Sequence, residues 1–271
     1  MKLRPEHRIL SSLTLKGLLL SGILLTGAAP LPIVHAQEPP QANTIFQTNP
    51  IIAQLNTAIT FYAAFNGQPV ADMSVGRGTP SGNLNDLQWA NGKLGQGLQA
   101  KSNALIYEAK DNIDFTKPGA LAVWVALGAR TDREAPVQLG FATIRHGGTG
   151  LALARQGGIK NNEALMAIIG SNINQQNTRA LVLSNTSKHW QEDEWHLLVV
   201  NWGADYIELS IDGGLFQRIT VNFPLYNHTD QAGTMSFAGN GTQQSPYRFD
   251  ELYIFNRPLT VDESKLIFQP S

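Results

Sequence analysis

The chain contains no cysteine among its 271 residues. This absence excludes disulfide bonds, thiolate metal sites and a lipid attached to an N-terminal cysteine. The fold must therefore be held together by its apolar core, to which a bound ion could add.

The chain also lacks an excess of charge of one sign. Twenty Lys and Arg residues stand against 21 Asp and Glu residues, a formal net charge of −1. Without residues 1–36 the balance is sixteen basic against twenty acidic residues, a net charge of −4. Proteins that bind nucleic acids need a basic patch, so we expect no nucleic-acid partner.

No apolar run of the sequence is long enough to span a bilayer, which takes roughly 20 residues. The longest candidate lies near the N-terminus, where four basic residues precede an uncharged apolar stretch at 17–27. Pro30 and Pro32 interrupt it, and small residues lead up to Ala36. This order is typical of a signal peptide, and we predict cleavage after Ala36, with a retained anchor as the alternative. The mature protein is then secreted or periplasmic, without membrane contact.

The rest of the chain divides into a leader and one domain. Residues 37–57 are rich in Pro, Asn and Gln and show no periodicity, which predicts a flexible leader. Residues 58–268 contain at least ten apolar runs bounded by Gly, Asn, Asp and Pro. Such runs are typical of strands in an all-β sandwich of two antiparallel sheets. Trp124, Trp195 and Trp202 are expected in its core.

Two local signals have a clear physical basis. Asp212-Gly213-Gly214 separates two apolar runs and predicts the tight turn of an antiparallel hairpin, because such turns need positive φ angles. Thr260 and Glu263 match a capping box, which predicts a short helix over 261–267, the only helix expected.

Five segments, in this order, resemble the LamG-like subgroup of the concanavalin A-like lectin/glucanase superfamily. They are TFYAAFNGQPVADMSVG at 60–76, GKLGQGL at 92–98, EWHLLVV at 194–200, YIELSIDGGLFQ at 206–217 and FDELYIFNRPLT at 249–260. Asn66 stands where the superfamily commonly has Asp. The resemblance implies a jelly-roll sandwich whose first and last strands lie side by side. It implies no reaction.

Catalytic patterns are missing. Some glucanases of this superfamily carry E-x-D-x-x-E on one strand, and this string does not occur. The contiguous acids at 192–194 are interpreted as a polar turn, and the histidines lack the spacing of zinc ligands. We therefore expect a non-catalytic module that binds carbohydrate or an extracellular surface partner. The alternatives are a glycan-cleaving hydrolase, and a structural or adhesive protein without a small ligand.

Candidate sites follow from position and composition. The superfamily often uses a structural calcium ion, and Asn66 and Asp250 are its candidate ligands, since adjacent first and last strands would bring them together. The alternative is that Asp250 caps a strand end and Asn66 forms a turn. For a sugar we expect amide, aromatic and guanidinium groups in loops, where the alternative is a solvated connection. These candidates are Asn174, Gln176, Tyr226, Asn240, Tyr247 and Arg248.

Overall fold

The computed structural model describes residues 49–82, 84–85, 87–100, 105–127, 138–146, 148–156, 164–173, 176–184, 190–191, 193–225, 233–237 and 247–269. The predicted signal peptide at 1–36 and the leader up to residue 48 lie outside these described residues. Within the described ranges, no helix is long and apolar enough to cross a membrane.

The described residues form fifteen strands and two short helices. The helices are α1 (Pro50–Leu55) and α2 (Val261–Phe268). The first eight strands are β1 (Ile59–Ala63), β2 (Met73–Ser74), β3 (Leu87–Asn91), β4 (Gln96–Ala100), β5 (Leu105–Glu108), β6 (Gly119–Leu127), β7 (Gln138–His146) and β8 (Thr149–Gln156). The others are β9 (Ala164–Ile173), β10 (Gln176–Ser184), β11 (Trp195–Trp202), β12 (Tyr206–Ile211), β13 (Gln217–Thr220), β14 (Thr234–Phe237) and β15 (Tyr247–Phe255).

The strands form two antiparallel sheets. A nine-stranded sheet has the order β13-β12-β11-β6-β15-β1-β2, with β4 also paired to β15 and β3 paired to β4. A six-stranded sheet has the order β10-β9-β8-β7-β14-β5. The predicted all-β sandwich is confirmed. The first and last strands are neighbours, as expected, with Tyr62 of β1 opposite Tyr253 of β15.

The main core lies between the two sheets. Alternate residues of the central strands, such as Val123 and Val125 of β6, pack in one cluster with Phe141 and Leu153 of the other sheet. Trp202 belongs to this cluster, where its indole N–H donates to the Lys117 carbonyl at 3.0 Å. Its predicted core position is confirmed.

A second cluster covers the opposite face of the nine-stranded sheet. There Trp124 and Leu197 pack with Ile52 of α1 and Ile267 of α2. Strand β6 is therefore buried on both faces, by a sheet on one side and by helices on the other. This explains why GALAVWVAL is apolar at every position. Trp195 is only half-buried at the margin of this cluster, so its predicted core position is not fulfilled.

The folded part begins before residue 58, which corrects the predicted boundary of the flexible leader. The Asn49 side chain accepts N–H bonds from Ile51 and Ile52 and so caps α1, and Pro50 occupies the first helical turn. Three apolar side chains of this helix are buried. Helix α1 also corrects the prediction that 261–267 is the only helix. Its six residues are too few to show a helical period.

The two local predictions agree with the structure. Strands β12 and β13 pair antiparallel, and both Asp212 (φ 53°) and Gly213 (φ 69°) adopt the positive φ angles expected at the turn. Thr260 and Glu263 form a complete capping box at the start of α2.

Candidate ligand-binding surface

Five residues of the nine-stranded sheet lie side by side on its outer face, and we call them the outer row. They are Gln88 of β3, Gln99 of β4, Arg248 of β15, Ala126 of β6 and Trp195 of β11. Each residue is the cross-strand partner of the next, so all five side chains leave the sheet on the same face. The residues that alternate with them, including Leu98, Val125 and Phe249, are in the main core. The outer row therefore faces away from the six-stranded sheet.

The guanidinium of Arg248 is fixed beside the indole of Trp195. Its central carbon lies 5.3 Å from the centre of the Trp195 ring, within the range of a cation–π contact. One nitrogen donates to the Asp193 carboxylate at 2.5 Å and another to the Asn91 carbonyl at 3.1 Å. These contacts hold the planar guanidinium in one orientation. Next to it, Gln99 is half-exposed and Gln88 is exposed.

Two polar side chains dock the β3–β4 hairpin against the sheet. Asp250 Oδ2 accepts the backbone N–H of Leu94 at 2.8 Å, and Asn66 Oδ1 accepts that of Gln96 at 2.8 Å. This hairpin carries Gln88 and Gln99. The two side chains therefore help to position two of the five residues of the outer row.

Glycines in the hairpin turn allow this close approach. A Cβ atom at Gly92 would lie 2.6 Å from Asp250 Oδ2, and one at Gly95 would lie 2.3 Å from Asn66 Oδ1. Gly95 also has a positive φ of 68°. Any larger residue would push the hairpin away from its anchors.

Asn66 and Asp250, the candidate calcium ligands, contact the same hairpin. Both Asp250 oxygens and the Asn66 oxygen each accept one backbone N–H group. The described residues include no group of three or more His, Asp or Glu side chains able to hold a metal. These contacts agree with the alternative roles, in which Asp250 caps a strand end and Asn66 forms a turn.

Calcium binding itself stays a prediction, and thermal melting checks it. A structural ion that binds only the folded state raises the melting temperature in proportion to its saturation. A bound structural calcium would therefore appear as a lower melting temperature in a chelator than in excess calcium. An unchanged midpoint would contradict the prediction.

Strand β15 carries two adjacent buried carboxyl groups at an irregularity in its pairing. The register with β6 shifts between Asp250 and Tyr253, and Glu251 adopts a positive φ of 48°. Asn49, Tyr62 and Tyr253 all donate hydrogen bonds to the Glu251 carboxylate. We call these four residues the Glu251 network. It joins the N-terminus of α1 to strands β1 and β15.

Burial changes the ionisation of both carboxyl groups. Desolvation, together with the neighbouring Glu251, raises the pKa of Asp250 to about 8 against the opposing effect of the backbone N–H bonds. Desolvation likewise raises the pKa of Glu251 to about 7, although the hydrogen bonds from Tyr253, Tyr62 and Asn49 favour its charged form. Both groups are therefore partly protonated near neutral pH.

The predicted ligand residues have different locations. Arg248 belongs to the outer row. Tyr247 is 1% exposed, packs edge-on against Phe141 and lies within 3.4 Å of the Arg155 guanidinium, so it presents no face to a ligand. Gln176 is the first residue of β10. The remaining three lie outside the described residues, namely Asn174, Tyr226 and Asn240.

A concavity, which we call the end cleft, lies near the C-terminal end of β11. Its volume is about 620 Å³, and it is lined by Thr60, Val75, residues 110–114, Lys117, Pro118, His146, Trp202, Phe255 and Asn256. Trp202 and Phe255 are each 1% exposed, so they offer a ligand little aromatic surface. The rim is charged, with Lys110, Asp111 and Lys117 exposed.

Among the described residues, the carboxyl groups with shifted pKa values take part in structural contacts. Burial opposes ionisation of Asp114 in the end cleft, but hydrogen bonds from Thr116 and the ammonium of Lys117 outweigh it and hold its pKa below the usual value. In the described part of the chain, raised carboxyl pKa values occur at Asp72, Asp250 and Glu251. Each of these three accepts structural hydrogen bonds.

The acidic segment at 192–194 forms a turn in its described part, as predicted. Asp193 adopts a positive φ of 63°, and Glu194 accepts the backbone N–H of Gln191 at 3.0 Å. Glu194 also lies 3.3 Å from Nε2 of His196, whose Nδ1 lies 2.8 Å from the Asp212 carboxylate. His196 thus links the start of β11 to the β12–β13 hairpin.

No protein-family model matches the sequence, and no curated protein matches it. Solved structures do match. The binding domain of Paraclostridial Mosquitocidal Protein 1 is 13% identical with a TM-score of 0.61, covering 79% of this chain and 52% of that domain. The botulinum neurotoxin serotype D ligand-binding domain, solved in complex with N-acetylneuraminic acid, is 12% identical with a TM-score of 0.59, covering 80% of this chain and 52% of that domain.

A third match covers nearly the whole of the matched domain. Domain 4 of AbnA, a GH43 extracellular arabinanase from Geobacillus stearothermophilus, was solved in complex with arabinotriose. It is 17% identical with a TM-score of 0.57, covering 78% of this chain and 98% of that domain. The present chain spans about half the length of the toxin binding domains. At these identities the similarity shows a shared β-sandwich fold.

Proposed function

We propose that this protein is a secreted, non-catalytic module of the LamG-like type that binds carbohydrate through the outer row. The outer row itself carries the proposal. It aligns an indole, a guanidinium and two amides on one face of a sheet.

The side chains of the outer row match the chemistry of sugars. A sugar ring has apolar C–H faces and hydroxyl edges, and sites for such ligands combine aromatic surface with a few fixed polar groups. Glutamine offers both a donor and an acceptor, and a guanidinium has five N–H donors, so Arg248 can contact a ligand while it holds Asp193 and Asn91. The end cleft has charged groups but little exposed aromatic surface.

The structural neighbours support the ligand class. One was solved with N-acetylneuraminic acid and another with arabinotriose, and those ligands belong to those proteins. Export belongs to the same proposal, because the basic segment and the short apolar stretch at 17–27 are typical of a signal peptide. The partner is then a glycan met outside the cytoplasm.

Removal of the indole is expected to weaken glycan binding about thirtyfold. Loss of a central aromatic anchor costs about 2 kcal/mol in a binding site, and about 1.4 kcal/mol corresponds to a factor of ten. Wild type and Trp195→Ala are compared by calorimetric titration with glycans first identified on an array. Arg248→Gln should weaken binding in the same direction, because the guanidinium beside the ring is lost.

Tyr206 and Arg218 offer a matched control pair. The Arg218 guanidinium lies 3.9 Å from the ring centre of Tyr206, the same kind of contact on β12 and β13 of the same sheet. Tyr206→Ala should leave glycan affinity unchanged. Equal losses in both variants, with melting temperatures intact, would contradict a site at the outer row. An array without any binding would instead favour the structural or adhesive alternative.

A further inference from the structure

The end cleft is lined by charges of both signs. Lys110 and Lys117 contribute two ammonium groups to its lining, and Asp111 and Asp114 contribute two carboxylates. The first three of these residues to be met from solvent, Lys110, Asp111 and Lys117, are exposed, and the side chain of Asp114 is 39% exposed. The charged groups are therefore accessible to a solute. The volume of the cleft, about 620 Å³, lies within the range of sites for small molecules.

Asp114 and Lys117 form an ion pair that a ligand can open. Lys117 Nζ lies 3.2 Å from Asp114 Oδ2, and the Lys117 side chain is 74% exposed. Exposed pairs of this kind contribute little to stability, and the stem of a lysine is flexible. The Asp114 carboxylate is held more firmly, because the backbone N–H of Thr116 donates to Oδ1 at 3.0 Å and the Thr116 hydroxyl does so at 2.5 Å. A ligand ammonium can thus replace that of Lys117 at Oδ2, which releases Lys117 to pair with a carboxylate.

The ionisation of the inner groups favours a cation beside Asp114. Burial by itself would raise the pKa of Asp114, but hydrogen bonds from Thr116 and the ammonium of Lys117 lower it overall, so the carboxylate is charged. His146 also lines the cleft, and burial lowers its pKa, an effect that Asp114 offsets only in part. The imidazole is therefore neutral at neutral pH and does not repel an ammonium group.

Apolar surface adjoins the charges. Val75 lines the cleft and is 67% exposed, and the exposed ring of Pro118 belongs to the same lining. Covering such surface with an apolar group of a ligand is favourable in proportion to the area removed from water. The cleft thus offers an apolar contact in addition to its charged groups.

A ligand with a single charge does not match this lining. An anion attracted by the lysines would also approach the carboxylates of Asp111 and Asp114, and a cation attracted by the carboxylates would approach the two ammonium groups. A zwitterion can place each of its charges beside a group of the opposite sign. Charge complementarity therefore selects a ligand that carries both.

We infer that the end cleft binds a small zwitterion with an apolar side chain, namely an α-amino acid or a short peptide. Its ammonium group binds Asp114, and its carboxylate binds Lys117 or Lys110. Its side chain packs on Val75. This site is separate from the outer row, and the inference goes beyond carbohydrate binding.

Leucine and three of its derivatives test the charge requirement. Leucinamide lacks the carboxylate, N-acetylleucine lacks the ammonium group, and leucyl-leucine keeps both at a larger separation. Each is titrated into isotope-labelled protein at neutral pH, and dissociation constants are taken from the NMR shifts of the backbone amides of residues 110–117 and of His146. The better of the two zwitterions should bind at least about tenfold more tightly than either singly charged derivative, because each loses one charge-assisted contact. Equal binding of leucinamide or of N-acetylleucine, or no binding by any of the four, would overturn the inference.

Two variants separate the roles of the two charges. Asp114→Asn keeps an oxygen for the Thr116 hydrogen bonds and should weaken binding of the zwitterion about tenfold. Lys117→Gln should weaken it by less, because Lys110 remains, and it keeps the test decisive if Asp114→Asn lowers the melting temperature.

Asp262→Asn is the matched control. Asp262 and Lys265 form an ion pair of the same kind on α2, three residues apart in the chain and 3.5 Å between the charged atoms. This variant should leave the affinity for the zwitterion unchanged. Full affinity in both Asp114→Asn and Lys117→Gln, or an equal loss in Asp262→Asn, would contradict the site. Glycan binding is measured separately, so neither result bears on the proposed function.

Discussion

Replacement of Glu251 by alanine is expected to lower the free energy of unfolding by about 3 to 5 kcal/mol. The carboxylate accepts hydrogen bonds from Asn49, Tyr62 and Tyr253, and all three donors are buried. Each buried donor left without an acceptor costs about 1 to 3 kcal/mol. Removal of one partner from a buried polar pair commonly lowers the free energy of unfolding by about 3 to 5 kcal/mol in total. For a domain of this size the melting temperature should fall by about 10 °C.

Urea denaturation of Glu251→Ala and of a matched surface variant provides the measurement. Asp262→Ala is the control, because the side chain of Asp262 is 93% exposed and lies 3.5 Å from the Lys265 ammonium. Such a surface pair contributes at most about 1 kcal/mol. If Glu251→Ala were no more destabilising than Asp262→Ala, the Glu251 network would not hold α1 to the sheet.

Stability is also expected to fall as pH rises from 6.5 to 8.5. In the unfolded chain Asp250 and Glu251 ionise near pH 4, whereas burial raises their folded-state pKa values to about 8 and about 7. Within this window the folded state holds more protons than the unfolded state, so unfolding releases protons and becomes easier at higher pH. The expected loss is about 2 kcal/mol, given that each pKa unit corresponds to about 1.4 kcal/mol.

The window begins at pH 6.5 because His146 acts in the opposite direction. Burial lowers the pKa of His146, so its contribution raises stability as pH increases up to its ordinary value of 6.5. Urea unfolding at several pH values measures the slope. Asp250→Asn should be less stable than the wild type at pH 6.5, because one side-chain amide cannot accept both N–H bonds. Its free energy of unfolding should, however, fall less steeply with pH than that of the wild type. A wild-type stability that is constant or rises over the window would contradict the raised pKa values.

The sequence predicts the sandwich well because its strands are marked by local chemistry. Asp212-Gly213 marks one hairpin, Thr260 and Glu263 mark a helix, and apolar runs mark the central strands. The helix-covered outer face is not predicted, since an apolar run such as β6 looks the same whether a sheet or a helix covers it. Helix α1 is too short to show a period, although Asn49-Pro50 is a capping signal that could have revealed it.

The candidate site is predicted only in part, because it depends on pairing register. Tyr247 and Arg248 are adjacent on β15 and must point to opposite faces, so only one of them could contact a surface ligand. That alternation is readable from sequence once the strand is recognised. The alignment of Gln88, Gln99 and Trp195 with Arg248 cannot be read from the sequence, since it brings together residues up to 160 positions apart in the chain. It depends on the pairing of β3 with β4 and of β4 with β15. The prediction that Trp195 lies in the core is wrong for the same reason, because its position on the outer face depends on the pairing register.

Chemical-shift mapping tests the central claim most directly. Two-dimensional NMR of the protein is recorded during titration with the oligosaccharide of highest affinity. The account predicts that the largest shifts fall on the indole N–H of Trp195 and on the backbone amides of Gln88, Gln99 and Arg248, with small shifts at Asp111 and Lys117 of the end cleft. Shifts concentrated at the end cleft, with the outer row unchanged, would contradict it.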